Sequence, residues 1–379
     1  MNYDFVVLGA DGIQGRIASR DLLESGYSVL LCALDKFRIE DILSKYKNAE
    51  YEHVNLKNVK HAAEVIKKSK ADVVLNCALS DWNMNAMKAC IDAGANVLDL
   101  GSPPKITMRQ LEMHNSLKRK NLMSITGCGA APGVVSIMLR YIEPRFKEIH
   151  TVNSGYAWTS NMNKFVVPFS IEAIIDEFTD KAVYLNNGKF VKGKPFSNFI
   201  NREFNFVGKQ KMCMVKHPEP FTFYKFLKHK RLKNVKFFAG FPDHSFDKFS
   251  TMIELGLGSW KTVRFNGYSI TPVEFLSIVL KELEIPQGYK EIENLWVDVH
   301  ANGKTSQMEC IAPTLKGWED ATCNIDTGMP ASIMAQMVKE EIIKEKGSFS
   351  PEFVVPPEPF FEELAKRKMY VYEDGEKIN

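Results

Sequence analysis

The chain has 379 residues, enough for about two to three domains of ordinary size. Hydrophobic residues make up 45% and charged residues 25%, with 23 Gly and 17 Pro, which excludes disordered, collagen-like and low-complexity proteins. Lys and Arg number 49 against 46 Asp and Glu, a net charge of +3, too small for the basic field of a nucleic-acid-binding or membrane-surface protein.

Seven cysteines, at 32, 77, 90, 128, 213, 310 and 323, show neither a CxxC pair nor zinc-ligand spacing, so they read as separate reduced thiols and no metal site is expected. No apolar run approaches the ~18 residues of a membrane span, and the N-terminus enters a strand without a charged leader. A cytoplasmic protein with neither membrane nor nucleic-acid partner is expected.

The first 130 residues alternate apolar runs with helical patterns. "YDFVVLG" precedes a helix over 13–25, and "YSVLLCA" a polar amphipathic stretch. "ADVVLNCA" leads to a helix over 84–93 stopped by Gly94, then the strand "NVLDLG", a helix over 108–119 and the strand "LMSIT". Unbroken apolar strands joined by helices predict an α/β unit over 1–130, with a doubly wound parallel sheet covered on both faces.

After about residue 145, Asn-Gly pairs at 187–188, 266–267 and 302–303 separate strand-like segments, the turn chemistry of hairpins. Residues 131–325 are expected to form an α+β domain with a mixed, largely antiparallel sheet and helices over 170–178 and 272–283. In 326–379, Pro330 reads as a helix start, Gly347 as its stop, and a last helix spans 358–367.

Residues 9 to 15 read GADGIQG, placing Gly9, Gly12 and Gly15 between the first strand and the first helix. Such a turn needs glycine backbone angles, a pyrophosphate approaches where no Cβ intervenes, and the helix N-terminus presents N–H groups. Gly9, Ala10, Asp11, Gly12, Ile13 and Gln14 are therefore candidate dinucleotide contacts. The spacing is GxxGxxG rather than GxGxxG, so a plain glycine-rich turn is the alternative. The second strand ends "LLCALDKFR". Ala33 stands where an acid for the adenosine ribose is expected and Asp35 follows, while Lys36 and Arg38 suit a 2′-phosphate. NAD and NADP both remain open, with the balance toward NADP.

In an open parallel sheet ligands lie beyond the carboxyl ends of the strands, here "CALSDWN", "DLGSPP" and "TGCGAAPG". Ala78, Leu79, Leu100 and Gly101 are candidate cofactor contacts, and Ser80 and Cys128 candidate substrate contacts, Cys128 being alternatively a buried filler. Asp99, at the end of an apolar strand, and Asp81 are candidate catalytic carboxylates, since burial raises a carboxyl pKa toward proton transfer. Asp99 has the alternative role of capping the following turn.

"TGCGAAPGVVSIML" resembles the Gly-x-x-Pro-Gly stretch of the saccharopine dehydrogenase family. "VLDLGSP" precedes it, and "PFSIEAIIDEFTDKAVYLNNGK", "FFAGFPD", "ITPVEFLSIVLKEL", "DTGMPASIMAQM" and "VVPPEPFFEELAKRKMYV" follow in family order over nearly the whole chain. The resemblance implies a Rossmann domain with an inserted α+β domain and C-terminal helices returning to the nucleotide domain. It implies a nicotinamide-dependent enzyme that moves hydride at a C–N bond, interconverting amine and imine. Lysine 6-dehydrogenases look nearest, with carboxynorspermidine and saccharopine reductases as alternatives. Where saccharopine reductases carry an aspartate and an arginine this chain has Ala131 and Phe237, which argues against a two-amino-acid substrate unless Lys236 takes the carboxylate. The family's aromatic residue after Cys77 is replaced by Ser80 or Asp81.

Hydride leaves carbon only when the neighbouring amine is neutral, so a base is needed, for which Asp99 and Asp81 are the candidates. Glu172 is read as a substrate-ammonium anchor or a first-turn acid, and Phe169 and Tyr156 as an apolar wall or core. His217 and His244 read as structural. Two further readings are a nucleotide-binding sensor without turnover and a Rossmann enzyme acting on hydroxy acids or sugars. Partners are expected to be a small amino-acid or amine substrate and, through sheet edges of the middle domain, a second copy forming a homodimer.

Overall fold

The computed structural model of the chain describes residues 2–167, 171–194, 197–301 and 303–379, with the backbone alone at 172, 173 and 281. It divides into two compact units. One runs from the N-terminus to residue 147 and takes in 324–371 and 377–379; the other holds 148–323 and 372–376.

In the first unit the short apolar segments form β1 (Phe5–Leu8), β2 (Val29–Ala33), β3 (Ala49–His53), β4 (Val73–Asn76), β5 (Asn96–Asp99) and β6 (Met123–Thr126). They pair in parallel in the order β6-β5-β4-β1-β2-β3, and Gly347–Phe349 adds a parallel strand outside β6. Every residue of β1, β2, β4 and β6 is buried, because helices cover both faces. On one face Val6, Leu30 and Val74 pack with Ala62, Ile66, Ala86 and Cys90 from helices Val59–Ser69 and Asn83–Ala93. On the other, helix Ile13–Glu24 lies so close to helix Ile325–Lys339 that a Cβ on Gly328 would stand 2.5 Å from Ile17 Cγ2. Asp21 fastens this layer, accepting hydrogen bonds from Ser332 Oγ at 2.6 Å and Arg367 Nε at 2.7 Å. The C-terminal helices thus belong to the nucleotide-type unit, and the doubly wound α/β architecture is present.

Several boundaries differ from the sequence reading. The helix expected over 108–119 is two, Pro104–Glu112 and His114–Arg119. Pro330 lies inside helix Ile325–Lys339 rather than at its start. That helix is buried from Ile325 to Val338 except at half-buried Thr327, so packing on nearly all sides outweighs the missing N–H of the proline. Gly347 opens the strand beside β6 and stops no helix. The first unit extends past 130 to 147, because helix Val134–Ile142 packs against Pro351–Val354 and Pro357–Lys366.

The second unit carries the expected mixed sheet. Ser197–Phe204, Gly208–Met214, Asn234–Gly240, Thr151–Ser160, Glu291–Ala301 and Lys304–Pro313 lie side by side, with Asn234–Gly240 and Thr151–Ser160 parallel and the other neighbours antiparallel. Asn187–Gly188 closes one hairpin with φ of +49° and +76°, and Asn266–Gly267 another with +49° and +83°, as type I′ turns require. The third pairs Ala301 with Lys304, Asn302 itself lying outside the described residues. The two expected helices are Ile171–Thr179 and Pro272–Lys281, and Glu219–Leu227 and Asp243–Glu254 are helices as well. Trp296, Phe238, Phe204 and Met212 form a core on the sheet, and Arg202 lies over the Trp296 ring while bonding Asp298 at 2.8 Å and Glu309 at 2.9 Å.

Candidate active site

The strand order of the first unit reverses between β1 and β4, and ligands of open α/β sheets bind beyond the strand ends at that point. Gly9, directly after β1, has φ +74°, and a Cβ there would meet Ala78 N at 2.7 Å, so the loops after β1 and β4 touch. A Cβ on Gly15 would stand 2.1 Å from Gly9 O, fixing the helix against the turn. Gly12 differs. A Cβ on it meets only Gly9 O at 3.5 Å, its φ of −82° suits any residue, and it N-caps helix Ile13–Glu24 without a side-chain cap and with no acid in the first turn. Among the described residues nothing demands glycine at 12, and the bare turn leaves the N–H groups of the helix N-terminus open, the arrangement that suits an anion.

Around this turn the expected contacts divide. Ala10 and Ala33 are buried, and the N–H groups of Gly9 and Ala10 already donate to Cys32 O at 2.8 and 3.1 Å, so these residues shape the turn. Ile13 is 53% exposed, Leu34 57% and Leu79 69%, apolar side chains left in water at the ends of β1, β2 and β4. Gln14 donates to Asn324 Oδ1 at 3.0 Å. Asp11 accepts from Asp35 N at 3.2 Å, and Asp35 Oδ1 accepts from Phe37 N at 3.0 Å, capping the short turn Lys36–Ile39. One carboxylate oxygen expected at the ribose is thereby committed to backbone. Lys36 lies 5.8 Å from the centre of the Tyr51 ring, and Lys36 and Arg38 are both exposed; Arg16 pairs with Asp41 at 2.6 Å.

The loops after β4, β5 and β6 are tied together from below. Asp99 is buried, accepting from Gly101 N at 2.8 Å, Thr126 Oγ1 at 3.0 Å and Gly127 N at 3.3 Å on Oδ1, and from Gln110 Nε2 at 2.6 Å on Oδ2. Burial pushes its carboxyl up, against the pull of these four bonds. Pro132 fills the space between Gly101 and Gly127, where a Cβ would meet its ring at 2.8 and 2.7 Å. Leu100 and Ser80 are half-buried, and Asp81 is exposed on the turn Ser80–Trp82. Cys128 is fully buried, its Sγ directed at Ile125 O at 3.5 Å, and burial pushes the thiol well up. Of the two roles expected of Cys128, its full burial favours the buried filler over the substrate contact. Asn76 and Asn83 were not singled out from the sequence. Asn76 donates to Asn83 at 2.8 Å and Asn83 to Gly101 O at 3.0 Å, linking the loops after β4 and β5. The available signal was a polar side chain ending an apolar strand, as at Asp99.

In the second unit Tyr156, on Thr151–Ser160, is more than an apolar wall. Its hydroxyl donates to Glu177 Oε2 at 2.7 Å; Glu177 Oε1 lies 3.9 Å from His217 Nε2, and His217 Nδ1 meets Glu219 Oε2. His217 stacks on Phe237 with ring centres 3.7 Å apart, and Phe237 and Glu219 are fully buried. Burial raises the Glu177 carboxyl, with His217 and Tyr156 opposing. Burial alone would lower the His217 imidazole, but the carboxylates of Glu219 and Glu177 outweigh it and hold it above its ordinary value. Lys236 faces the ring of Tyr184 instead, 5.7 Å from its centre. Phe169 lies outside the described residues, as does the side chain of Glu172. Neither Glu177 nor the role of His217 was read from the sequence, because strand, helix and loop bring them together.

A glycine turn on a helix N-terminus at the reversal of a parallel sheet, rimmed by exposed apolar side chains, is the architecture of a dinucleotide-binding domain. Residues 5–125 match the saccharopine dehydrogenase NADP binding domain, and residues 129–369 the saccharopine dehydrogenase C-terminal domain. The chain belongs to the saccharopine dehydrogenase family and is an NAD(P)-dependent oxidoreductase of that type. It is 23% identical to the carboxyaminopropylagmatine dehydrogenase of Synechocystis sp. over 95% of each chain. It is 26% identical to the carboxynorspermidine synthase of Vibrio alginolyticus over 84% of this chain and 81% of that one. The fold is also that of saccharopine dehydrogenase (L-Glu forming) from Saccharomyces cerevisiae, at a TM-score of 0.75 over 100% of both chains and 11% identity. Among the described residues no helix is long and apolar enough to cross a membrane.

Proposed function

We propose that the chain oxidises, and in reverse forms, the C–N bond of a small amine that carries a carboxylate, an amino acid such as lysine or a carboxylated polyamine, with NADP. Two relatives named for carboxy-bearing amines support this substrate class. NADP supplies the hydride acceptor. Gly12 and the first turn of helix Ile13–Glu24 hold the pyrophosphate, Lys36 and Arg38 the 2′-phosphate, and Ile13, Leu34 and Leu79 cover apolar faces of the dinucleotide. Asp99 is a positioning residue that holds the loops carrying Leu100, Gly101 and Gly127, and Asp81 and Ser80 lie on the neighbouring turn.

The observation that carries the proton-handling part is the run Tyr156, Glu177, His217, Glu219. Glu177 is assigned the role first given to Glu172, taking up the substrate ammonium and accepting its proton, which frees the nitrogen lone pair that expels hydride. Its raised carboxyl suits proton exchange nearer neutrality than an ordinary glutamate. His217, held by Glu219, supplies positive charge beside Phe237, where saccharopine reductases place an arginine. The same reading assigns the chain to lysine-related metabolism in the cytoplasm, acting as a homodimer. Glu177→Gln tests it: kcat for amine oxidation should fall by at least ~100-fold with NADPH affinity unchanged, as loss of a general base costs, and unchanged kcat would remove Glu177 from the reaction.

A further inference from the structure

The net charge of +3 conceals a strong segregation along the chain. Residues 181–236 hold fourteen Lys and Arg against two Asp and Glu, a net +12, so everything else is net −9. Some of these cations are answered inside the second unit, Arg202 by Asp298 and Glu309 and Lys216 by Asp180 at 2.6 Å. Lys189, Lys192, Lys225, Lys228 and Lys233 are not: all five are exposed, and among the described residues none pairs with a carboxylate. The fold gathers them. The Asn187–Gly188 hairpin lies beside Asn234–Gly240, with Gly188 N donating to Lys233 O at 2.8 Å, which sets Lys189 next to Lys233. One residue on, Phe190 stacks on Phe221 of helix Glu219–Leu227 with ring centres 4.6 Å apart, and it meets Tyr224 at 5.5 Å. Lys192 shares the Phe190 face of its strand, and Lys225 and Lys228 continue the stripe of Phe221 and Tyr224 at helical spacing.

We propose that this face binds single-stranded nucleic acid. Five uncompensated ammonium groups repel one another, and they are spread over a hairpin, a helix and a strand start rather than converging on one point, so the anion that answers them is extended. Lysines at the end of a helix suit its dipole, which accounts for Lys225 and Lys228 but for none of the other three. Among extended polyanions the aromatic residues decide. Phe190, 41% exposed and held by Phe221 and Tyr224, offers a ring between Lys189 and Lys192 on which a base stacks while flanking phosphates meet the lysines. An acidic polypeptide asks for the lysines but gives the rings no partner. A lipid surface asks for an apolar side chain free to enter it, which a ring pinned in a stack is not. Whole-chain charge, from which no nucleic-acid partner is expected, averages this face away.

The test is fluorescence anisotropy of a labelled RNA of ~20 nucleotides and mixed sequence, longer than the stretch such a face covers, titrated with the full chain. Kd should be about 10 μM or tighter at about 50 mM salt, and five phosphate contacts should weaken it about 100-fold by about 200 mM. Combining Lys192→Glu, Lys225→Glu and Lys228→Glu should weaken binding by at least ~10-fold and lower the salt dependence, with thermal midpoint, NADPH affinity and amine turnover retained. Phe190→Ala should weaken RNA binding by at least ~5-fold, the loss of one stacked base, and leave the salt dependence unchanged. Absence of RNA binding at the lower salt overturns the proposal, and so does binding that the triple reversal leaves intact. Poly-glutamate or phosphatidylserine vesicles bound as tightly as RNA would overturn the assignment to nucleic acid. If either variant does not fold, the comparison of RNA with poly-glutamate and vesicles decides.

Discussion

A Cβ on Gly9 would stand 2.7 Å from the backbone nitrogen of Ala78, whereas one on Gly12, three residues on, has no protein atom closer than 3.5 Å. The two glycines therefore differ: the contact of two loops requires Gly9, while Gly12 leaves open the space proposed above for a phosphate. Gly9→Ala should destabilise the protein by about 1–3 kcal/mol through backbone strain and the clash. Gly12→Asp places a favoured N-cap and should leave thermal stability within about 1 kcal/mol of the wild type. It should nonetheless weaken NADPH binding by at least ~10-fold, because a carboxylate takes the anion's place. Parallel melting curves and fluorescence titrations check both.

In the proposed reading the turn after β2 sets the cofactor choice. Asp35 spends one oxygen on Phe37 N, and Lys36 and Arg38 stand exposed beside it. Replacing both bases with alanine should weaken NADPH by ~10–100-fold, the worth of charge-assisted phosphate bonds, and leave NADH affinity unchanged. Equal losses for both nucleotides would detach these residues from the 2′-phosphate.

The glycine turn was legible because its chemistry is local, three glycines between a strand and a helix in seven residues. The Tyr156, Glu177 and His217 run was not, since its members come from a strand, a helix and a loop 61 residues apart at the extremes. Glu172, the helix-start acid expected at the ammonium, has its side chain outside the described residues, whereas Glu177 on the same helix meets the Tyr156 hydroxyl. The Asp374–Gly375 turn carried the same hairpin signal as the Asn-Gly pairs, with φ of +48° and +88°, yet it followed the last helix pattern and its strands were not anticipated. Pro330 misled for the opposite reason, as burial of the whole helix overrode a local stop signal.

Glu177 and His217 both hold protons more tightly in the folded protein than their ordinary values of 4.5 and 6.5. The stability each contributes is complete below its ordinary value and is lost as pH rises through its raised folded value. Unfolding midpoints of the wild type should therefore decline with rising pH in this range. Glu177→Gln removes the first contribution and weakens the hold on the His217 proton, so its profile should be flatter. A profile that parallels the wild type would show that neither group titrates in place.

Arg202 bonds Asp298 and Glu309 while about nine-tenths of all three side chains is out of water. Arg202→Ala leaves two enclosed carboxylates without a cation and should cost about 3–5 kcal/mol, measured by chemical denaturation. A loss below about 1 kcal/mol would place the ion pairs in effective contact with solvent.

Hydride transfer at a C–N bond is read from the rate of NADP reduction by the full chain across lysine, saccharopine, diamines and carboxylated polyamines. Turnover is expected with at least one of these amines, falling by at least ~100-fold in Glu177→Gln while NADPH still binds. Tight NADPH binding with no turnover on any amine, or turnover on hydroxy acids alone, would contradict it.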